Sequence, residues 1–167
     1  MSIVVTLDVE TTGLNPQKED IIQFSAIKTD ENMEYKDILD IYIQCGYHVP
    51  EHITKINHIS DETLREKGIS QKEAVRQIMN FCNGCNTVMG HNVTFDLKFL
   101  NALFQKNGIP EMEFLRVIDT LTIAKKKVEG SHKLEVLAEQ AGFYGKFHNS
   151  LEDVKATIEV YKWLQTI

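Results

Sequence analysis

Apolar and β-branched residues run without a break over residues 3–7, and polar residues take over directly behind them at Asp8 and Glu10. A run of that kind predicts a strand buried on both faces. Residues 21–27 and 38–43 predict a second and a third strand. The segments between them, 15–20 with Pro16 and 30–32, are short and polar, which predicts an antiparallel meander. A loop with Gly46 and Pro50 follows, and the period then changes. Ser60 is a natural N-cap for a short helix. Ser70 with Glu73 forms a capping box ahead of Ala74, Val75, Ile78, Met79 and Cys82 at helical spacing, and Asn83-Gly84 closes that helix.

Thr87–Gly90 predicts a fourth strand, followed by a helix over 93–107 that Gly108 stops and Pro110 keeps from restarting. Residues 115–118 predict a fifth strand, and Asp119 caps the next helix. Ser131 is placed to cap a short helix carrying Leu134, Leu137, Ala138 and Ala141, closed by Gly142. The last helix starts near Asn149 and turns Leu151, Val154, Ile158 and Tyr161 inward. The order β-β-β-α-β-α-β-α-α predicts an α/β fold: a five-stranded mixed sheet flanked by helices, its last two strands parallel to the first.

With 167 residues the chain is long enough for one domain, 1–167, with a sizeable core. No apolar stretch reaches membrane-spanning length and the opening residues lead straight into a strand, so a cytoplasmic protein without a membrane partner is expected. The net charge of −6 argues against a broad basic surface that coats nucleic acid. It leaves room for a nuclease whose acidic site attracts phosphate once metal fills it. Cys82 and Cys85 form a C-x-x-C with no second pair, which reads as two reduced thiols at a helix end.

Asp8 and Glu10 change this picture. Two residues apart on a pleated strand, both side chains leave by one face. Paired carboxylates on a buried strand repel and lose hydration, and a divalent cation with oxygen ligands, Mg²⁺ or Mn²⁺, is the economical compensation. Gly13 lets the chain turn straight after the pair. Strand ends and the first turns of following helices converge on one crevice in such sheets, so Asp96, one turn into its helix, can reach it. Asp153 lies early in the last helix. His148 precedes that helix in a loop with Gly145, where its ring is free to swing.

D-x-E, then N-x-x-x-D, then H-x-x-x-x-D, in this order and spacing, resembles the DEDDh (DnaQ-like) branch of the 3′–5′ exonucleases, the family of the proofreading subunit of bacterial replicative polymerases. The resemblance covers almost the whole chain. Thr11-Thr12-Gly13, Ile59-Ser60-Asp61-Glu62, Asp119-Thr120 and Lys133-Leu134 also look like family landmarks. Position 150 departs from the family, with Ser where Ala is usual.

The resemblance implies an RNase H-like fold and two Mg²⁺ or Mn²⁺ ions held by Asp8, Glu10, Asp96 and Asp153, with Asp8 bridging. It implies His148 as general base, and hydrolysis of DNA or RNA from a 3′ end to nucleoside 5′-monophosphates in replication or repair. Thr11 and Thr12 are implied at the terminal sugar, Leu14 and Phe95 as apolar walls for the terminal bases. Lys125, Lys126, Lys127 and Lys133 are open to two readings: a track for phosphates, or a solvated helix face. A DNA polymerase is an implied partner, although the family's polymerase-binding tail has no counterpart up to Ile167. The alternative is a catalytically silent module of the same fold that grips nucleic acid or a polymerase without cutting; loss of a ligand or of the histidine would mark it, and none is lost.

Overall fold

The strand order follows from which strands can share a buried face. The computed structural model describes residues 2–167. β1 (Val4–Thr11), β2 (Ile21–Thr29) and β3 (Tyr35–Ile43) form the expected antiparallel meander. β2 and β3 extend past their apolar runs because Lys28, Thr29, Tyr35 and Asp37 continue the ladder with polar and edge side chains. β5 (Thr87–Gly90) pairs parallel with β1, and β6 (Arg116–Asp119) parallel with β5.

The sheet has six strands rather than five, in the order β4-β3-β2-β1-β5-β6. The added strand, β4 (Gly68–Ile69), is too short to carry any period. It forms because the chain passing from α2 (Asp61–Lys67) to α3 (Gln71–Cys82) crosses the free edge of β3. There Tyr42 pairs with Gly68 and Ile43 with Ile69, and the Gln44 N–H donates to the Ile69 carbonyl at 2.9 Å. A second departure is α1 (Glu51–Asn57), where the sequence suggested a loop. Pro50 sets its entry, and His58, in the left-handed region at φ 62°, ends it.

Most caps are as expected. Ser60 Oγ accepts from the Thr63 N–H at 3.1 Å and Ser70 Oγ from the Glu73 N–H at 3.2 Å. The capping box is only half made, because the Glu73 carboxylate turns to Arg76 and Gln77 instead of reaching back. Ser131 does not cap α6 (Leu134–Gln140): Lys133 holds the N-cap position, and Ser131 Oγ reaches only the Lys133 N–H at 3.4 Å.

Along β1, side chains alternate between two layers. Val5, Leu7 and Val9 pack with Phe24, Val75, Ile78, Phe99 and Leu100 beneath α3 and α4 (Val93–Lys106). Met79, grouped with the α3 stripe on the sequence, is instead exposed at 42%. Val4 faces the opposite layer with Ile27, Met89, Ile118, Val154 and Ile158, beneath α7 (Ser150–Leu164), which packs in turn on α5 (Thr120–Lys127) and α6. Thr6, Asp8 and Glu10 continue that second face toward the crest of the sheet. Cys82 and Cys85 are buried in the first layer. Among the described residues no helix is long and apolar enough to cross a membrane.

The junction that makes β4 tolerates no side chain at Gly68, where a Cβ would sit 2.4 Å from the Leu64 carbonyl oxygen; at Gly46 a Cβ meets nothing within 4 Å. Thermal melts should show Gly68→Ala destabilised by about 1–3 kcal/mol, as overpacking requires. Gly46→Ala should stay within about 0.5 kcal/mol of the parent.

Candidate active site

β1 outruns its parallel neighbour, and that mismatch builds the site. Its pairing with β5 ends at Thr6 opposite Met89, while its pairing with β2 continues to Thr11. Asp8 and Glu10 therefore lie where one side of the strand has no ladder partner. The Val9 N–H points into this gap, and Asp96 Oδ1, from the first turn of α4, accepts it at 2.9 Å. Asn92, left-handed at φ 60°, turns the chain from β5 into α4 so that this turn lands on the crest. Asp119 fastens the turn: its carboxylate accepts from the N–H groups of Asn92 (2.9 Å) and Val93 (3.2 Å) as well as capping α5 through Leu121 (2.9 Å).

From the other layer, α7 brings Asp153 over β1. Asn149 Oδ1 caps α7 through the N–H groups of Leu151 and Glu152. Asp8, Glu10 and Asp153 each offer a carboxylate oxygen, and these oxygens all lie within 4.8 Å of one another. Asp96 is outside that trio, 3% exposed and hydrogen-bonded to the strand through the Val9 N–H. Asp153 Oδ1 is buried with no hydrogen-bond partner.

Every one of these carboxyls is pushed above the ordinary range, chiefly by loss of water. For Asp8 the charges of Asp96, Asp153 and Glu10 add to desolvation. Burial carries Glu10 up to about 8, with Asp153 adding to it and the Asn57 side-chain amide opposing. Asp96 rises by burial although the Val9 N–H resists, and Asp153 rises by burial although the His148 backbone N–H resists. Closely packed carboxylate oxygens with an orphaned buried acceptor fit the donor set of a hard divalent cation.

His148 is in the left-handed region at φ 66°, an uncommon conformation for a residue with a side chain. Its side chain is 57% exposed, with Nε2 3.9 Å from Glu135 Oε2. His148 and Asp153 share a cleft of about 320 Å³ with Lys133, Leu134, Glu135 and Phe147. Of the basic run, only Lys133 lines this cleft; Lys127 is spent on the carbonyls of Leu164 (2.8 Å) and Ile167 (3.0 Å).

The other candidate contacts are placed less uniformly. Leu14 is 84% exposed in the loop between β1 and β2. Phe95 is half-buried, tilted on Phe99 with centroids 4.9 Å apart. Thr11 Oγ1 donates to the Gly13 carbonyl at 2.6 Å. Thr12 is buried, and its hydroxyl is taken up by Glu19 (2.8 Å), Tyr47 (2.7 Å) and the Asp20 N–H (3.0 Å), which braces the loop. Gly13 serves that loop by close approach rather than by turning freedom, since a Cβ would lie 2.8 Å from Glu19. Asn57 and Glu135 were missed on the sequence. One is a polar residue in an unrecognised helix, the other a helix-surface acid, and neither carries a local signal.

A mixed α/β sheet flanked by helices, with a carboxylate cluster at its crest, defines the class of the RNase H-like fold. Within that class the chain belongs to the exonuclease family of the RNase T type, whose profile matches residues 5–161, and its domain is a 3′–5′ exonuclease domain. DNA polymerase III PolC-type of Pediococcus pentosaceus is 33% identical over 148 residues, covering 87% of this chain and 10% of the polymerase. The PolC-type polymerase of Thermotoga petrophila is 31% identical over 164 residues, covering 94% of this chain and 11% of that protein. The chain thus spans about a tenth of these relatives. Zinc-bound E. coli exonuclease I in complex with single-stranded DNA superposes with a TM-score of 0.90 at 23% identity, covering 99% of this chain and 41% of that one.

The raised carboxyls fix how stability depends on pH in metal-free protein. A carboxyl whose folded pKa exceeds its unfolded value stabilises the fold fully below the unfolded pKa, near 4, and loses that contribution as pH rises through the folded pKa. For Glu10 the folded value is about 8, so stability should fall from roughly pH 4 toward pH 8. Thermal melts in chelator should show this slope, and Asp8→Asn should flatten it and raise the melting temperature near pH 8.

Proposed function

We propose that the domain is a metal-dependent DEDDh-type exonuclease that removes nucleoside 5′-monophosphates from the 3′ end of single-stranded DNA. The observation that carries this reading is the convergence of Asp8, Glu10 and Asp153, with an unpartnered buried oxygen on Asp153. Asp8, Glu10 and Asp153 would hold two Mg²⁺ or Mn²⁺ ions, with Asp96 completing the set behind Asp8. Bound there, the cations would neutralise the carboxylates, polarise the scissile phosphate and acidify the attacking water.

The chain's own residues then have distinct tasks. His148, with its ring at the mouth of the cleft, takes the proton from water, and Glu135 at 3.9 Å stabilises the imidazolium. Lys133 faces the phosphate backbone from the rim of the same cleft. Leu14 and Phe95 offer apolar surface to the terminal bases, and Thr11 the strand end beside the sugar. The choice of DNA is supported by neighbours that hold single-stranded DNA, and a proofreading role beside a polymerase by the PolC-type relatives. Nothing in this scheme needs a broad basic face, in keeping with a net charge of −6.

The test uses linear and circular single-stranded DNA with the parent protein and His148→Gln. Linear strands should shorten from the 3′ end to monophosphates with Mg²⁺ or Mn²⁺ and stay intact in EDTA, while circles survive. His148→Gln should be slower by about 100- to 10,000-fold in single turnover with metal affinity little changed. Rapid cutting of circles, or full activity in EDTA, would refute the reading.

A further inference from the structure

The departure at position 150 has a partner 125 residues away. Ser150, the first residue of α7, is fully buried, and its Oγ lies 2.5 Å from Oγ of Ser25 on β2, also fully buried. Ser25 Oγ donates to Asp40 Oδ1 on β3 at 2.7 Å. A hydroxyl has one proton, so Ser150 must be the donor to Ser25. Gln23 Nε2 donates to the same Asp40 oxygen at 3.0 Å, so Asp40 collects the row.

This chain of hydrogen bonds lies in register with the carboxylates. Asp8 pairs with Ser25 and Ser25 with Asp40, one residue on each of β1, β2 and β3, all on the face that α7 covers. On α7, Ser150 and Asp153 are three residues apart and so share a helix face. The residue that fastens the helix to β2 is thus one turn from the residue that reaches over β1. Asp153 has no side-chain bond of its own at Oδ1 to hold it there. Its place is set by where the first turn of α7 rests.

We propose that Ser150 and Ser25 are positioning residues for the metal site. Their bond, anchored by Asp40, fixes the first turn of α7 on the sheet and so sets the reach of Asp153 to Asp8 and Glu10. The proposal rests on the metal-binding reading above. Outer-shell partners of ligating groups commonly alter metal affinity by about 10- to 100-fold. The lower end applies here because the anchoring acts through the helix rather than on the carboxylate.

The two serines should not behave alike. Ser150→Ala leaves Ser25 with Asp40, whereas Ser25→Ala strands the buried Ser150 hydroxyl, so Ser25→Ala should be the more damaging to stability. Mn²⁺ affinity should be measured by calorimetric titration on the parent, each single variant, the double variant and Ile158→Val, at a temperature where melts show all to be folded. Ile158 is buried in the same helix but lies outside the hydrogen-bonded row, so its truncation reports simple loosening of α7 packing. The expected result is about tenfold weaker Mn²⁺ binding in either serine variant. The double variant should be no weaker than Ser25→Ala, and Ile158→Val should keep parental affinity. In single-turnover cleavage, the serine variants should regain most of the parental rate at saturating Mn²⁺. Parental Mn²⁺ affinity in both serine variants, or an equal loss in Ile158→Val, would overturn the positioning role. Absence of Mn²⁺ binding by the parent itself would instead overturn the metal reading beneath it.

Discussion

Like charges forced together out of water are what the rest of this structure accommodates. Asp8 and Glu10 share one face of a strand in the middle of a sheet, Asp153 descends on them from α7, and Asp96 closes in from α4. Without cations the group resists ionisation, as the elevation of Glu10 to about 8 shows. Among the described residues no lysine or arginine forms an ion pair with these carboxyls. Hydrogen bonds fix the elements that carry each acid, and the raised pKa values favour protons on the acids where no cation is bound.

The supports come from both layers of the fold. On the α4 side, the early end of β5 exposes the Val9 N–H, and Asp96 uses it as a mooring. Asp119 holds the turn that delivers Asp96. On the α7 side, Asn149 caps the helix and Ser150 ties its first turn to the sheet. His148 lies just before that helix with its ring exposed. The proposed hydrolysis requires both together: carboxylates held by packed elements and a proton acceptor on a more exposed side chain.

Much of this could be read from the chain because the signals are local and periodic. The two-residue spacing of Asp8 and Glu10 determines a shared face, and the switch from period two to helical period located most elements. Features built by contact between distant segments left no such trace. β4 arises from a two-residue crossing of the β3 edge, and α1 has no side-chain N-cap to announce it. The cap assigned to Ser131 falls to the backbone at Lys133 because the loop enters α6 two residues later. The partners of the Thr12 hydroxyl, Glu19 and Tyr47, come from separate segments of the chain. The partner of Ser150 could be found only once β2 and α7 were placed together.

If protons stand in for cations at this cluster, metal binding must expel them. Calorimetric titration of Mn²⁺ into metal-free protein near pH 7, repeated in buffers of different ionisation enthalpy, counts the protons released. The carboxyls of this site predict the release of about one to two protons per protein as the site fills, diminishing above pH 8. Binding with no proton release at pH 7 would mean that the carboxylates are already ionised when the site is empty, and would contradict the account.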